Sequence, residues 1–200
     1  MNIQHRSIRR LSTLAIAATL LTLGVATPAT AALPPQYPMD HGIYYLETNQ
    51  NGFPQRLQET GQAYFTTSAA RIVVASPSSW GTPQQQWRVI EDSKNVYRFL
   101  NVDSGRALQK TGDDNGIGAV NVATTPAAWR TSEQFWYGRD VDAQGTQKRL
   151  QNANPPQDRT YLQVNPVSYN GYEGVTWTQA GVLGSTTDTV WTFVPTGLTR

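Results

Sequence analysis

The stretch Tyr97-Arg98-Phe99-Leu100-Asn101-Val102-Asp103-Ser104-Gly105-Arg106-Ala107-Leu108-Gln109, closed by Gln134-Phe135-Trp136, decides the fold of this chain. Its two anchors, a Leu-Gln pair and a later Trp, occur three times along the sequence. The Leu-to-Trp separations are 30, 28 and 29 residues, and the three Trp residues lie 49 and 55 apart. A supersecondary unit of about fifty residues that is used three times predicts a repeat architecture. The copies are Leu57-Gln58 with Trp87, Leu108-Gln109 with Trp136, and Leu162-Gln163 with Trp191.

Each copy is expected to contain four short strands. Val120 and Val122 alternate with polar Asn121, which is the two-residue period of a half-buried strand. One copy cannot bury its apolar face alone, whereas three copies around a pseudo-threefold axis close a barrel and leave no exposed sheet edge. The sequence therefore predicts an all-β fold, a β-trefoil of twelve short strands. In copy two the expected strands are 97–101, 107–110, 119–123 and 134–138, with turns at 103–105 and 113–116.

The chain is expected to begin with an export signal. Basic residues up to Arg10 precede an apolar run at 14–26, which is too short to span a bilayer. Ala29 and Ala31 then provide the small residues of a signal-peptidase site. We expect a signal peptide over 1–31 and secretion to the extracellular space; together with the absence of cysteine, this favours a bacterial source. A proline-rich lead-in (32–41) and a single domain (42–196) follow, with repeats at about 42–91, 92–141 and 142–196.

Removal of the signal changes the charge of the protein. The full chain has 16 Lys and Arg against 14 Asp and Glu, and loss of Arg6, Arg9 and Arg10 leaves 13 against 14, a net charge of −1. This balance gives no electrostatic footprint for nucleic acid or for an anionic membrane. We therefore expect neither nucleic acid nor, after signal cleavage, a membrane as a partner, and we expect a monomer.

The sequence has few of the residues that catalysis needs. After signal cleavage His41 is the one histidine, and cysteine is absent. There is no Gly-x-Ser-x-Gly elbow and no phosphate-binding glycine loop. A zinc site would need more His or Cys, and the acidic turn 113–116 lacks the spaced acids of a calcium loop. We expect no enzyme activity, no catalytic residues, no metal site and no cofactor.

The segment 97–108, with its closing Gln134-Phe135-Trp136, resembles one repeat of a ricin-type (ricin B-like) lectin domain. Copies one and three resemble it more loosely, and together the likeness covers nearly all of 42–195. The resemblance implies a β-trefoil that binds carbohydrate. In this family a potent site uses an Asp directly after the Leu of the second strand, with an aromatic from the third strand and an Asn or Gln near the final Trp. Here the Asp position holds Gln58, Gln109 and Gln163, and Gln lacks the charge that strengthens such hydrogen bonds.

Copy three has the aromatic side chains that a sugar site needs. Near the aromatic position of the family, copies one and two have Ala75 and Ala123, whereas copy three has Trp177. Aromatic rings stack on the C–H faces of sugars while hydroxyls bond at the edge. The resemblance therefore implies a carbohydrate-binding site at Gln163, Asn165, Tyr169, Tyr172 and Trp177. For Trp177 the alternative is a core position aligned with Val122.

The remaining conspicuous side chains of the repeat are expected to be structural. Gln58 and Gln109 are expected to bond to the backbone rather than to a ligand. Trp80 and Trp129 each follow a proline, and they either close a loop onto the barrel or stand exposed. Regular spacing predicts a threefold core layer of Trp87, Trp136 and Trp191.

Two functions are compatible with these features. The first is a secreted, non-catalytic, carbohydrate-binding module of the ricin-type lectin class, with a glycan or polysaccharide as partner. The alternative is a secreted β-trefoil protease inhibitor or another protein-binding module, because several inhibitor families use this fold and present one loop to the enzyme. The candidate loops are 152–159, where Pro155 and Pro156 would lower the entropy cost of binding, and 64–71. The loss of the Asp in all three copies favours this alternative.

Overall fold

The computed structural model describes residues 38, 40–50, 52–64, 67–114, 119–154, 160–168, 176–182 and 190–198. The expected signal peptide and most of the lead-in lie outside these residues. Within the described ranges the chain forms twelve strands, four per copy, and four short 3₁₀ turns. No helix in this part of the chain is long and apolar enough to cross a membrane.

The strands follow the three copies in order. Copy one contains β1 (Ile43–Gln50), β2 (Phe53–Tyr64), β3 (Thr67–Pro77) and β4 (Gln86–Ser93). Copy two contains β5 (Val96–Asn101), β6 (Ala107–Asp114), β7 (Ala119–Thr125) and β8 (Trp136–Asp140). Copy three contains β9 (Gln147–Asn152), β10 (Thr160–Ser168), β11 (Thr176–Val182) and β12 (Val190–Pro195). The 3₁₀ turns lie between the third and fourth strands of copies one and two, at Ser78–Trp80, Pro83–Gln85, Ala127–Trp129 and Ser132–Gln134.

The first and fourth strands of the copies form a closed barrel. β1 pairs with β4 and β12, β5 pairs with β4 and β8, and β9 pairs with β8 and β12, all antiparallel. The ring therefore closes through contacts within copies and between copies in alternation. Closure satisfies the backbone hydrogen bonds of both edges, which a single copy could not do.

The second and third strands form three hairpins that cap the barrel. They are β2–β3, β6–β7 and β10–β11. The third strands also pair with one another, β3 with β7, β7 with β11 and β11 with β3, so the hairpins meet in a triangle. A six-stranded barrel with a triangular cap of three hairpins is a β-trefoil, as the repeats predict.

The core lies inside the barrel and under the cap. Strand β9 alternates half-buried and buried residues along its whole length, which explains how the weakly apolar sequence Gln147–Asn152 joins the barrel. Phe99 of copy two and Phe193 of copy three are both buried, with ring centroids 6.0 Å apart. The largest fully buried side chains are the three repeat tryptophans, Trp87, Trp136 and Trp191.

Five strand boundaries in copy two differ from the sequence expectation, four of them by one or two residues and the end of β6 by four. The fourth strand begins at Trp136 rather than at 134, because Gln134 is the last residue of a 3₁₀ turn. Its backbone amide donates to the Thr131 carbonyl. The second strand extends to Asp114, whose backbone stands level with Val120 after a register shift. The expected acidic turn 113–116 therefore begins inside a hairpin strand, and its residues 115 and 116 lie outside the described part of the chain.

Candidate functional site

The two anchors of each copy are joined by a hydrogen bond inside the core. The indole Nε1 of Trp87 donates to the carbonyl of Leu57 at 2.9 Å. Trp136 makes the same bond to Leu108 at 3.2 Å, and Trp191 makes it to Leu162 at 3.0 Å. The second strand of each copy, which contains the leucine, is therefore held in the same place relative to the barrel. The residue that follows the Leu, where the lectin family has its Asp, thus occupies equivalent positions in the three copies.

In copy one, this residue is held by an internal hydrogen-bond network. The side-chain carbonyl of Gln58 accepts a hydrogen bond from the Ser76 hydroxyl at 2.5 Å. The Ser76 hydroxyl accepts in turn from the Gln85 amide at 2.7 Å, and that amide also donates to the Pro77 carbonyl at 2.9 Å. Gln85 is fully buried. The acceptor atom of Gln58 is therefore used to connect the hairpin to the turn before Trp87.

Copy two repeats the network with one substitution. The side-chain carbonyl of Gln109 accepts from the Thr125 hydroxyl at 2.5 Å, and Thr125 accepts from the Gln134 amide at 2.7 Å. The Gln134 amide also donates to the Pro126 carbonyl at 3.0 Å. The sequence predicted that Gln58 and Gln109 bond to the backbone. Each accepts instead from a Ser or Thr hydroxyl, and the second glutamine of the network donates to the backbone.

Copy three lacks both partners of this network in its sequence. Gln163 stands opposite Gln179, just as Gln58 stands opposite Val74. Two residues further along the third strand, copy one has the Ser76 hydroxyl, whereas copy three has Gly181. The position two residues before Trp191 holds Thr189, which lies outside the described residues, in place of the second glutamine. Gln163 is half-buried and has neither residue type available to it at these positions.

The structure describes part of the predicted sugar site. Gln163 and Asn165 lie on β10, and the backbone of Trp177 on β11 pairs with Val74 of copy one. The alternative that Trp177 aligns with the core residue Val122 does not fit the strand register. Val122 pairs with Lys110 in copy two, and the equivalent pair in copy three joins Thr178 to Val164, so Thr178 is the counterpart of Val122. Tyr169 and Tyr172 lie outside the described residues. The five-residue site as a whole stays a prediction.

The tryptophans after the third strands are half-exposed. Trp80 and Trp129 have 50% and 49% of their surface accessible, and each ends a 3₁₀ turn that begins after a proline. The next residue has a left-handed backbone, at Gly81 in copy one and at Arg130 in copy two. These rings are therefore partly packed and partly presented to solvent. Near the family's aromatic position, by contrast, Ala75 and Ala123 are fully buried.

A buried acid stands beside Gln58 but is engaged between copies one and two. Glu59 is 3% exposed, and its carboxylate accepts from the Ser104 hydroxyl at 2.8 Å and from the Thr124 hydroxyl at 2.7 Å. The pKa of Arg106 lies below its ordinary value, mainly because the guanidinium is partly buried. The nearby Glu59 carboxylate opposes this shift, and the Arg71 guanidinium adds to it. The carboxylate next to the family's Asp position therefore stabilises the junction of the two copies.

Two buried asparagines were missed by sequence reasoning. Asn101 is 1% exposed, and its Nδ2 donates to the Gln84 carbonyl of copy one at 2.9 Å. Its Oδ1 accepts from the backbone amides of Asp103 and Ser104 at 3.1 and 3.2 Å. The side chain thus closes the turn after β5 and also joins copy two to copy one. The signal for it was a polar residue that ends a first strand directly before turn residues.

Asn152 makes the corresponding contacts between copies two and three. It is 4% exposed, donates to the Glu133 carbonyl at 2.8 Å, and accepts from the Asn154 amide at 3.1 Å. It lies at the base of the expected protein-binding loop 152–159, of which 155–159 is outside the described residues. In the other expected loop, 64–71, Arg71 donates to the Gly61 carbonyl at 2.7 Å.

The residues at the domain entrance, Asp40 and His41, form a turn directly before β1. His41 Nε2 lies 3.3 Å from Asp40 Oδ2, and both side chains are largely exposed. The other carboxylate oxygen of Asp40 accepts from the Glu91 amide at 2.9 Å. Among the described residues, no group of three or more His, Asp or Glu side chains is placed to hold a metal ion.

No family model matches the chain, and no curated protein matches it. The designed threefold-symmetric protein ThreeFoil is 20% identical, with a TM-score of 0.60 over 76% of this chain and 98% of its own. The ricin B-like lectin of Macrolepiota procera, solved in complex with lactose, is 15% identical, with a TM-score of 0.58 over 78% of this chain and 97% of its own. These similarities show that the fold of the chain is a β-trefoil.

The same fold also occurs as part of a larger enzyme. An exo-β-1,3-galactanase from Clostridium thermocellum is 19% identical, with a TM-score of 0.59 over 78% of this chain. The match covers 30% of the galactanase chain. At these identities the similarities show the fold alone, and the function has to be argued from the site.

Proposed function

We propose that this protein is a secreted, non-catalytic carbohydrate-binding module whose sugar site lies in copy three. The observation that carries the proposal is the difference between the copies at the family's Asp position. Gln58 and Gln109 are held by internal networks, whereas copy three has Gly181 and Thr189 in place of the network partners. The amide of Gln163 therefore serves a ligand rather than the fold.

The backbone of copy three brings suitable residue types together. Gln163 lies directly opposite Gln179, and Trp177 comes two residues before Gln179 on β11. Because alternate residues of a strand share a face, positions 163, 177 and 179 lie on one face of the hairpin. A ring suits the C–H face of a pyranose, and two amides donate to and accept from its hydroxyls. Asn165 on β10 and the segment with Tyr169 and Tyr172 complete the proposed site.

The comparisons support the class of ligand. The Macrolepiota procera lectin was solved with lactose, and the galactanase acts on a galactan, as their names state. Without a carboxylate at position 163, affinity is expected to be around millimolar, about 4 kcal/mol. Neutral hydrogen bonds and one stacked ring account for binding of this strength.

Retention on immobilised polysaccharides tests the proposal. Trp177→Ala is expected to abolish retention of the folded protein, and Gln163→Ala to weaken it. Gln58→Ala and Gln109→Ala are the matched controls and are expected to retain binding, because their amides face the internal networks. Gln163→Asp is expected to tighten binding, since charge-assisted hydrogen bonds are roughly twice as strong as neutral ones. Circular dichroism on each variant separates loss of binding from loss of fold.

Two outcomes would overturn the proposal. If Trp177→Ala unfolds the protein, Trp177 belongs to the core and the copy-three site is wrong. If the folded wild type retains no glycan at millimolar concentration but blocks a secreted protease, the inhibitor function replaces the lectin function.

A further inference from the structure

An apolar groove lies where the first hairpin of copy one turns from β1 into β2. Its volume is about 250 Å³, and its surface is mainly apolar. Phe53 lines it with 72% of its surface exposed, and the half-exposed Trp80 directly follows the lining residues in the chain. Apolar side chains that are exposed together around a groove are typical of interaction sites. The lining residues are Phe53, Pro54, Gln55, Pro77, Ser78 and Ser79.

The two walls of this groove are fixed before anything binds. One wall is the start of β2, which pairs with β1. The other is the turn Ser78–Trp80, where the Ser78 carbonyl accepts from the Arg56 guanidinium at 2.7 Å. Arg56 is itself held by Glu47 at 3.1 Å, and its guanidinium lies 3.8 Å from the centroid of the Tyr45 ring. A preformed groove loses little conformational entropy on binding.

The chemistry of the groove suits an uncharged, proline-rich segment. The chain on both sides of the lining residues, 48–55 and 72–87, contains no charged residue. Pro54 has no amide hydrogen, which disfavours the addition of a further strand at this edge. Aromatic-lined grooves bind extended proline-rich segments through side-chain contacts, and such segments are already ordered before they bind. The volume is below that of sites for drug-sized ligands, so the groove accommodates a few side chains.

The chain contains such a segment next to the domain. Residues 32–37 read Ala-Leu-Pro-Pro-Gln-Tyr and carry no charged side chain. They lie outside the described residues and are followed by Pro38, which is buried. The expected signal cleavage after Ala31 would leave them at the N-terminus of the secreted protein.

The segment 32–37 is too short to reach the groove of its own copy. Asp40 accepts from the Glu91 amide, beyond the start of β1. The groove lies past the opposite end of this strand, where Gln50 pairs with Phe53. Strand β1 alone covers about 23 Å, and six extended residues cover at most about 21 Å. A second copy can supply the segment without this restriction.

We propose that the groove binds the segment 32–37 of a second copy of this chain. The rings of Pro34 and Pro35 pack against Phe53 and Pro77. The exchange is reciprocal and gives a dimer. Because each contact is far smaller than a standard protein interface, the dissociation constant is expected to be about 0.1–1 mM, and the protein is a monomer at lower concentration.

Two complementary variants of the secreted protein test this pairing by amide chemical shifts. The double variant Pro34→Ala, Pro35→Ala keeps the groove but loses the proline rings, whereas Phe53→Ser keeps the segment but loses the exposed ring of the groove. Isotope-labelled double variant mixed with unlabelled Phe53→Ser at about 1 mM is expected to show shifts at the amides of Ser78 and Ser79. With the labels exchanged, these two amides are expected not to shift.

Sedimentation equilibrium of the unmixed proteins measures the strength of the contact. Phe53→Ser and the double variant are each expected to weaken the self-association of the wild type at least about tenfold. Leu198→Ser is the matched control, because it removes an apolar side chain that is 53% exposed outside the groove lining. It is expected to leave self-association unchanged. The amide spectra show whether each variant is folded.

Three outcomes would overturn the inference. The first is a wild type that stays monomeric at about 1 mM with no change at the groove amides. The second is equal shifts with either labelling, which would mean that another part of the second copy binds. The third is binding of a synthetic polyproline peptide to a groove that the second copy does not occupy, which would make the occupant another protein.

Discussion

The indole of each repeat tryptophan explains why the Leu-to-Trp spacing is nearly constant. Its ring packs in the core, and its Nε1 donates to the carbonyl of the leucine that lies about thirty residues earlier in the chain. A change in the number of residues between the two anchors would break this bond unless the intervening loops absorbed it. The separations are 30, 28 and 29 residues, so the segments between the anchors differ in length by at most two residues.

Substitution of Trp136 separates packing from hydrogen bonding. Trp136→Ala is expected to lower the free energy of unfolding by about 3–5 kcal/mol through lost burial and a residual cavity. Trp136→Phe keeps an aromatic ring but removes the indole donor to the Leu108 carbonyl, so a smaller loss of about 1–3 kcal/mol is expected. Chemical denaturation measures both. Equivalent losses are expected at Trp87 and Trp191, and losses below about 1 kcal/mol at all three would contradict the core assignment.

The strands of the barrel approach closely where a glycine permits it. Gly138 of β8 lies against β5 and β9, and a Cβ added there would lie 2.6 Å from Tyr97 Cε2 and 2.9 Å from Lys148 Cδ. Tyr97 and Lys148 are both buried, so neither can move aside into solvent. The amide of Gly138 also donates to the Asn95 carbonyl at 2.9 Å, which fixes the backbone position.

Gly138→Ala is therefore expected to destabilise the protein. Overpacking of this kind typically costs about 1–3 kcal/mol, because side chains and strands must shift. Gly112→Ala is the matched control: it lies on a hairpin strand, and an added Cβ there would meet nothing within 4 Å. Thermal unfolding of the two variants beside the wild type measures the difference, and equal melting temperatures would contradict the close packing of β5 and β8.

The three copies are held together by side chains as well as by strand pairing. Asn101 joins copy two to copy one, and Asn152 joins copy three to copy two. Glu59 adds a second contact at the first of these junctions. At the third junction Glu47 pairs with Thr192, so Thr48 comes level with Trp191 and takes the place of the asparagine. The trefoil is therefore threefold in its backbone but not in the contacts between its copies.

Asn101→Ala and Asn152→Ala are each expected to cost about 1–3 kcal/mol, because each removes a buried side chain whose amide bonds to partly buried backbone groups on both sides of a junction. Asn49→Ala is the control on an exposed asparagine and is expected to change stability by no more than about 0.5 kcal/mol. Denaturant titration checks all three. Losses for the buried pair that match the control would show that strand pairing alone holds the copies together.

Export of the whole protein is tested by its mature N-terminus. Cleavage is expected after Ala31, because Ala29 and Ala31 are the small residues that signal peptidase needs. N-terminal sequencing of protein from the medium should begin at Ala32 or Leu33. A chain that still carries the apolar run 14–26 would contradict secretion by this route.

The sequence by itself determined the threefold repeat, the β-trefoil and the tryptophan anchors. These follow from residue spacing and from the need of each copy to bury an apolar face, and both can be read along the chain. Strand ends were less predictable: Gln134 belongs to a turn because its amide serves a network that includes Thr125 and Gln109.

Only the tertiary structure decided which polar residues the fold uses internally. Gln58, Gln109 and Gln163 occupy the same place in the repeat, and their difference depends on residues across the hairpin and before the next tryptophan. The position of Thr48 depends on the pairing of Glu47 with Thr192, two residues at opposite ends of the domain. The physical reason is that a hydrogen bond needs a partner within about 3 Å. Which partner comes that close is set by register between strands distant in sequence, and local sequence patterns do not contain it.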